Sequence, residues 1–464
     1  MILDFNIVYS LLSKFERAGQ EETPSTPIRL VREMLEKLPP EIWSDPSKTF
    51  LDPACSTGTF LLEIVRKLNI GLASQIPDQT ERLKHILTKQ VWGLELSRVP
   101  FFMTKAAFEK LFIDTTGIVG EVNIYHANAL DGVEEIKGMK FDVVVGNPPY
   151  QKNDGGGTGS SATALYSKFW DKILEGEPSH VVVIMPARWH TGGRGLTKFR
   201  ENMLNNDSIS KMTVYHNSKD CFPDNDIKGG ICHVHYDANY SGDCEVTIVQ
   251  SGNKIRSTTT RKLNQHLPMW SLFLSEPKEA AIVDKVRKID KHFMKEKVSS
   301  SKPFGLRSSY ISSQSTPSSS RPIKFYQCKS IGYVSKNELI RNHNWIGDWK
   351  VLIPKASEGR SGEDLNILGQ PIVAAPNSAC SETYLVVGRF NNKQEADNLA
   401  AYINTKFFRF MVSIVKKTQN SSQKSYSFVP QLSTTKVWTD KLLYDRYNLT
   451  KDEIDFIEKR IKKR

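Results

Sequence analysis

Phe141-Asp142-Val143-Val144-Val145-Gly146-Asn147-Pro148-Pro149-Tyr150 is the stretch on which the reading of this chain turns. The run from Phe141 to Gly146 has the continuous hydrophobicity of a parallel strand buried on both faces. It breaks off at an amide, two prolines and an aromatic. In an open α/β sheet, ligands bind outside the carboxyl ends of the strands, so these four residues fall where chemistry is expected. Proline fixes φ and has no N–H to donate, so the loop is stiff and its carbonyls stay free. An amide oxygen, a free carbonyl and a flat ring together suit an amino group on a flat heterocycle. A plain proline turn would explain an isolated Pro-Pro as well. The flanking sequence weighs against that reading.

Upstream, residues 49–62 (Thr-Phe-Leu-Asp-Pro-Ala-Cys-Ser-Thr-Gly-Thr-Phe-Leu-Leu) read as strand, tight turn, helix. Small residues let backbone approach a ligand closely, and a helix start near Gly58 offers unpaired N–H groups. The Gly-Lys-Ser/Thr ending of a phosphate loop is absent, and so is the Gly-x-Gly-x-x-Gly dinucleotide pattern. One strand later, Val91-Trp92-Gly93-Leu94-Glu95 puts an acid at a strand end, a usual place to accept hydrogen bonds from ribose hydroxyls. A third strand, residues 122–126, ends near Asn128.

With these motifs the chain resembles the S-adenosylmethionine-dependent amino-methyltransferases of DNA, in the order called gamma, over most of its length. The resemblance implies that Asp52, Pro53, Ala54, Cys55 and Gly58 hold the methionine part of the cofactor and that Glu95 binds its ribose. Asn128 then lies beside the adenine, and Thr26, in a Thr-Pro motif, next to the methionine end. Asn147, Pro148, Pro149 and Tyr150 form the catalytic motif, with Asn147 also against the cofactor. The segment Cys221-Phe222-Pro223 with Ile227 to Ile231 resembles the one whose aromatic stacks on an extruded base, which implies that Tyr150 and Phe222 sandwich the target. Two departures stand out. Ser56 occupies a position that is usually Gly, and Asn128 one that is usually Asp, so its bond to adenine must use the amide oxygen.

The chemistry follows from residue types. An aromatic amine is a weak nucleophile because its lone pair is delocalised into the ring. Hydrogen bonds from its N–H groups to the Asn147 oxygen and the Pro148 carbonyl favour a more tetrahedral nitrogen. Attack on a sulfonium methyl is then direct and needs no enzyme nucleophile, so positioning and electrostatics carry the acceleration. The target must leave the duplex to reach the pocket. Asn at 147 favours adenine N6 over cytosine N4.

Charge agrees with a nucleic-acid partner. The net charge of the 464 residues is +12, and it is divided as −6 over residues 1–250 and +18 over 251–464. A small-molecule methyltransferase has no need of that asymmetry. The six cysteines, at 55, 221, 232, 244, 328 and 380, have no C-x-x-C spacing, which points away from zinc and toward a reducing compartment. Cys232, His233 and His235 alternate along a strand and make a poor metal cluster. No run of apolar residues is long enough to cross a membrane, and no secretory leader opens the chain. A cytoplasmic protein is expected.

The expectation is an α/β fold: a doubly wound mixed sheet of the class I methyltransferase type (Rossmann-like), with a C-terminal α+β target-recognition domain. A catalytic domain over 1–240 and a basic domain over 241–464 are expected, the latter with a long, exposed Ser-rich loop near 299–322 that orders on DNA. The glycine-rich stretch 153–161 is either a linker or a loop that orders over the site. One amphipathic helix should span about 396–415, its Phe407, Phe408 and Phe410 facing the core. Lys416, Lys417 and Lys424 are candidate phosphate contacts. The expected activity is sequence-specific transfer of a methyl group from S-adenosylmethionine to adenine N6 in double-stranded DNA, with a separate restriction endonuclease as possible partner. An N-methyltransferase of protein glutamine or RNA, and a non-catalytic DNA-binding subunit of the same fold, are the alternatives.

Overall fold

The computed structural model describes residues 26–464 apart from 118, 132–135, 137, 152–163, 192–194, 226, 228, 251–254, 265–272, 275, 358–365 and 417–418. The opening segment before Thr26, the glycine-rich stretch and Lys417 thus lie outside the described residues.

The chain divides into two compact units, Met1–Phe273 and Leu274–Arg464. In the first unit the strands are β1 (Phe50–Asp52), β2 (Val91–Glu95), β3 (Asn123–His126), β4 (Val143–Gly146), β5 (His180–Pro186), β6 (Ile209–Tyr215), β7 (Ile231–Asp237), β8 (Cys244–Gln250) and β9 (Ile255–Arg261). They form one sheet in the order β3-β2-β1-β4-β5-β7-β6-β8-β9. Strands β1 to β5 pair in parallel. Strand β7 runs antiparallel between β5 and β6. The connection order reverses between β1 and β4, which opens a crevice at their carboxyl ends.

The continuous apolar runs are explained by burial on both faces. Val143, Val145, Val182 and Ile184 join one core with Leu30, Val31, Met34 and Leu35 of α1 (Ile28–Leu35) and with α2 (Thr59–Gly71). Val144, Val181, Val183 and Met185 face the other way, toward α5 (Leu165–Glu175) and α6 (Thr197–Leu204). Burying each such side chain is worth about 1.5–3 kcal/mol, so both faces favour the same register. Helices α3 (Gln79–His85) and α4 (Arg98–Thr116) lie between β1, β2 and β3 in sequence. Asp78 caps the first, and Gly117, at φ 70°, ends the second.

Four expectations change. First, the boundary lies at 273/274 and not at 240/241, because β8 pairs with β6 and β9 with β8. Both strands belong to the first unit's sheet, although β9 carries part of the basic half. The split by unit becomes −2 for residues 1–273 and +14 for 274–464. Second, the Ser-rich segment is a loop without helix or strand and mostly exposed, as expected, but it is anchored at several points. Phe304 is fully buried, the Ser299 hydroxyl accepts from Val386 N at 3.0 Å, and Ser312 N donates to Gln327 Oε1 at 2.8 Å. These bonds tie it to strands of the second unit at Val386 and Gln327, where composition alone suggested disorder.

Third, the helix expected over 396–415 is two: α8 (Lys393–Asn404) and α9 (Lys406–Val415), following α7 (Pro277–Ile289). Thr405 breaks the run, and its hydroxyl caps α9 by accepting from Phe408 N at 3.1 Å. Phe407, Phe408 and Phe410 are core residues, as their spacing suggested. Fourth, Lys416 is buried, and its ammonium donates to the Ser357 carbonyl at 3.4 Å. It offers no surface to a phosphate; Lys424 is exposed.

The second unit is α+β. Strands β10 (Ile323–Gln327), β11 (Ser330–Val334) and β14 (Ser378–Cys380) form one small sheet, and β12 (Trp349–Pro354), β13 (Ile372–Ala374) and β15 (Tyr384–Phe390) another. Helices α10 (Asp440–Arg446) and α11 (Lys451–Arg460) complete it. Among the described residues no helix is long and apolar enough to cross a membrane.

Candidate active site

The crevice at the carboxyl ends of β1, β2 and β4 gathers most of the residues singled out in the sequence. After β1 the chain turns through Asp52 to Gly58 into α2. Cys55 N donates to the Leu94 carbonyl at 2.9 Å and Gly58 N to the Cys55 carbonyl at 2.7 Å, which ties the turn to β2 and to itself. Gly58 needs its positive φ of 80°, and a Cβ there would meet Thr104 Cγ2 at 2.8 Å. Ser56, where the resembling family has Gly, also adopts left-handed backbone, at φ 46°. The turn is therefore held at a local conformational cost to Ser56.

Glu95 ends β2 and is nearly buried. One carboxylate oxygen accepts from Ser56 N at 2.9 Å, the other from Ser97 N at 2.6 Å. It joins the turn to the start of α4 and keeps lone pairs for further donors, since a carboxylate can accept about four bonds. Asp52 is buried and accepts from Ala54 N at 3.1 Å. Burial pushes its carboxyl up to about 8, the Ala54 bond opposing and the Glu95 charge adding. A cation delivered to this crevice would reverse that shift.

Asn147 follows β4. Its amide nitrogen donates to Thr26 Oγ1 at 3.1 Å, and both side chains are buried. The two arms of a primary amide diverge, so its oxygen points away from Thr26. Tyr150 packs against the core that contains Phe222. Burial raises its phenol well above the ordinary range, the Asn147 side chain partly opposing.

Two expected contacts look different in the fold. Phe222 is 2% exposed and lies within the core, so it has no open face for a base. The motif around it placed it near Tyr150, but burial decides that it packs as a core residue. Asn128 uses its amide oxygen to accept from Leu130 N at 3.1 Å, and its nitrogen donates to Asp131 Oδ2 at 2.7 Å. Both ends of the Asn128 amide are thus engaged within its own loop.

Other residues of the crevice left little trace in the sequence. Thr104, fully buried on α4, donates to the Ser56 carbonyl at 2.5 Å and clamps the turn from the side. Gly93 lets β2 approach: a Cβ there would meet Leu61 Cδ1 at 2.7 Å and Cys55 Sγ at 3.1 Å. The described residues include no cluster able to hold a metal. His233 faces Glu33, and His235 pairs with Ser210 at 2.8 Å.

Residues 66–222 match the family described as Eco57I restriction-modification methylase, about a third of the chain. An uncharacterized adenine-specific methylase of Mycoplasma pneumoniae is 28% identical over 299 residues, covering 50% of this chain and 71% of its own. In these parts the chain is similar to a restriction-modification methylase family and to an adenine-specific methylase. The solved DrdV–DNA complex is 14% identical, covers 93% of this chain and 59% of that chain, and has a TM-score of 0.53. A nuclease-deletion mutant of the Type ISP restriction-modification enzyme LlaGI, in complex with a DNA substrate mimic, is 11% identical. It covers 90% of this chain and 46% of that chain, with a TM-score of 0.52. At these identities the two share the fold. The chain spans about half the length of the solved proteins that it matches.

Proposed function

We propose that this chain transfers a methyl group from S-adenosylmethionine to the N6 amino group of adenine at a specific sequence in double-stranded DNA. The observation that carries the reading is the Asn147 amide, held by Thr26 at the carboxyl end of β4, with Asp52 and Glu95 beside it in the same crevice.

The donor set fits the cofactor. Glu95 offers a carboxylate to ribose hydroxyls, and Asp52 a buried carboxyl that a cationic ammonium would ionise. Gly58 and Gly93 let the turn pack closely against Thr104 and Phe108 and let β2 pack against Leu61 and Cys55, which shapes the crevice wall. Cys55 and the start of α2 line the methionine side, and Asn128 with Asp131 the adenine side. When bound, S-adenosylmethionine supplies an electrophilic methyl group.

The chain's own work is positioning. Thr26 fixes the Asn147 amide so that its oxygen accepts from the target amino group, and the Pro148 carbonyl accepts the second N–H. With both N–H groups engaged, the nitrogen lone pair is turned toward the methyl. Tyr150 supplies the ring on which the extruded base stacks, an interaction worth about 1–3 kcal/mol. Extrusion from the duplex is required because N6 is otherwise paired. The second unit, with its net charge of +14, is the DNA-recognition domain. A separate restriction endonuclease reading the same sequence is the natural partner, and the cytoplasm the natural compartment.

The test is transfer of labelled methyl from S-adenosylmethionine to unmethylated duplex DNA by the full chain, with modification-sensitive sequencing of the product. N6-methyladenine at one recurring sequence is expected. Asn147→Ala should lose at least about 100-fold in turnover and keep cofactor affinity within a few-fold. Turnover retained by that variant, or label found in protein glutamine instead of DNA, would overturn the reading.

A further inference from the structure

Helix α1 is tied at both ends to different parts of the first unit. At its start, Thr26 accepts from the Asn147 amide at 3.1 Å. Two turns on, Glu33 collects donors from three strands. Arg256 of β9 gives two bonds, at 3.1 and 2.8 Å. The Tyr215 hydroxyl of β6 gives one at 2.6 Å, and His233 Nε2 of β7 stands 3.3 Å away. Burial alone would raise the Glu33 carboxyl, but His233, Arg256 and Tyr215 together hold it well below the ordinary carboxylate range. Two further ties lie along the same helix and just beyond it. Arg29 donates to the Asp220 carbonyl at 2.6 Å, and Lys37 to Thr213 Oγ1 at 2.9 Å.

Glu33 stands about 8 Å along the helix from its first residue, Ile28, and Thr26 precedes that start, joined to it through the cap residue Pro27. An α-helix is stiff along its axis, so a displacement of Glu33 is passed on to Ile28, and Pro27, whose ring fixes φ, carries it to Thr26. Arg256 comes from one of the two strands that extend the sheet beyond β6. Its side chain is 41% exposed, and exposed ion pairs contribute little to global stability. The pair therefore sets a position more than it holds the fold.

We propose that Arg256 is a positioning residue for the transfer step: with Tyr215 and His233 it clamps Glu33, which fixes the register of α1 and hence the Thr26 contact that orients the Asn147 amide. The inference rests on the reading of Asn147 as the amide that receives the target amino group.

The experiment is a double-mutant cycle in the full chain with Thr26→Ala, Arg256→Ala and both, read as turnover on unmethylated duplex DNA. Arg256→Ala should lower kcat between about 5- and 100-fold, with S-adenosylmethionine affinity within twofold of the unmodified chain. Arg256→Lys, which keeps the charge, should recover at least half of the loss. The double variant should be no slower than Thr26→Ala alone, because both act on one contact. Losses that multiply in the double variant, or kcat unchanged in Arg256→Ala, would overturn the proposal. A second readout is independent of turnover: the side-chain amide NMR signals of Asn147 should shift in Arg256→Ala and Glu33→Gln, and stay in place if the clamp does not reach Asn147. If the unmodified chain transfers no methyl group, the proposed activity fails by itself, while the Asn147 signals still decide the coupling.

Discussion

The Asp52 carboxylate fills the space in front of Gly146: a Cβ built on Gly146 would stand 2.6 Å from Asp52 Oδ1. The two residues end adjacent strands at the point where the sheet order reverses. Gly146 is thus the one residue type that lets the catalytic loop leave β4 beside a buried acid. Gly146→Ala should push Asp52 or the loop aside, at a stability cost of about 1–3 kcal/mol. Cofactor affinity should fall at least tenfold. Calorimetry with S-adenosylmethionine, beside a urea melt, measures both.

Asp52 also gives a pH dependence with a defined sign. Its folded pKa is raised to about 8, against an unfolded value near 4. The proton is bound in the fold and lost on unfolding, so the contribution to stability is full below about pH 4 and declines as pH rises through about 8. His233 and His235, held neutral with values lowered to about 4 by burial, act in the opposite sense as pH falls from about 6.5 to 4. The difference between the unmodified chain and Asp52→Asn isolates the first effect. Without cofactor, that difference in unfolding free energy should shrink steadily between pH 4 and 8. A flat difference would mean that Asp52 is ionised throughout.

Ser56 holds a left-handed backbone at φ 46°, which costs an L-residue about 1–2 kcal/mol. Glycine removes that cost and gives back part of it as unfolded-state entropy. Ser56→Gly should therefore stabilise the protein by about 0.5–1 kcal/mol. The Ser56 N–H bond to Glu95 survives the change, so cofactor affinity should not weaken. A thermal melt and a binding isotherm on the same variant check both halves.

Phe222 packs in the core at 2% exposure. Phe222→Ala should cost about 3–5 kcal/mol of stability. Its effect on methylation should be the same for matched and mismatched target bases, since a mismatch lowers only the cost of extrusion. A loss that is relieved on mismatched duplexes would instead show the ring meeting the extruded base, which requires its segment to open.

Much of the crevice was legible because its signals are local. The run before Asn147, the small-residue turn after Phe50 and the acid closing Val91 to Glu95 each lie within one strand and its loop. Hydrophobic runs report burial on both faces, and prolines and glycines report backbone geometry. The Ser-rich segment misled for the converse reason. Serine content marks a segment as polar, but whether its hydroxyls bind water or neighbouring backbone depends on what packs beside them. Thr405 likewise sits in a run that reads as helix throughout, and its capping role emerges only from the backbone turn it adopts.

The sequence by itself determined the parallel strands of the first unit, the composition of the turn after β1, the amide-proline loop and the excess of positive charge toward the C-terminus. Those depend on residue type and short spacing. The tertiary structure decided that Thr26 meets Asn147 across 121 positions and that Glu33 collects Tyr215, His233 and Arg256 from 182, 200 and 223 positions away. It also decided that β8 and β9 belong to the first sheet and that Lys416 is inside. Contacts at such separations form only when a chain closes long loops, and whether they form is settled by the packing of the whole unit, which no local pattern encodes.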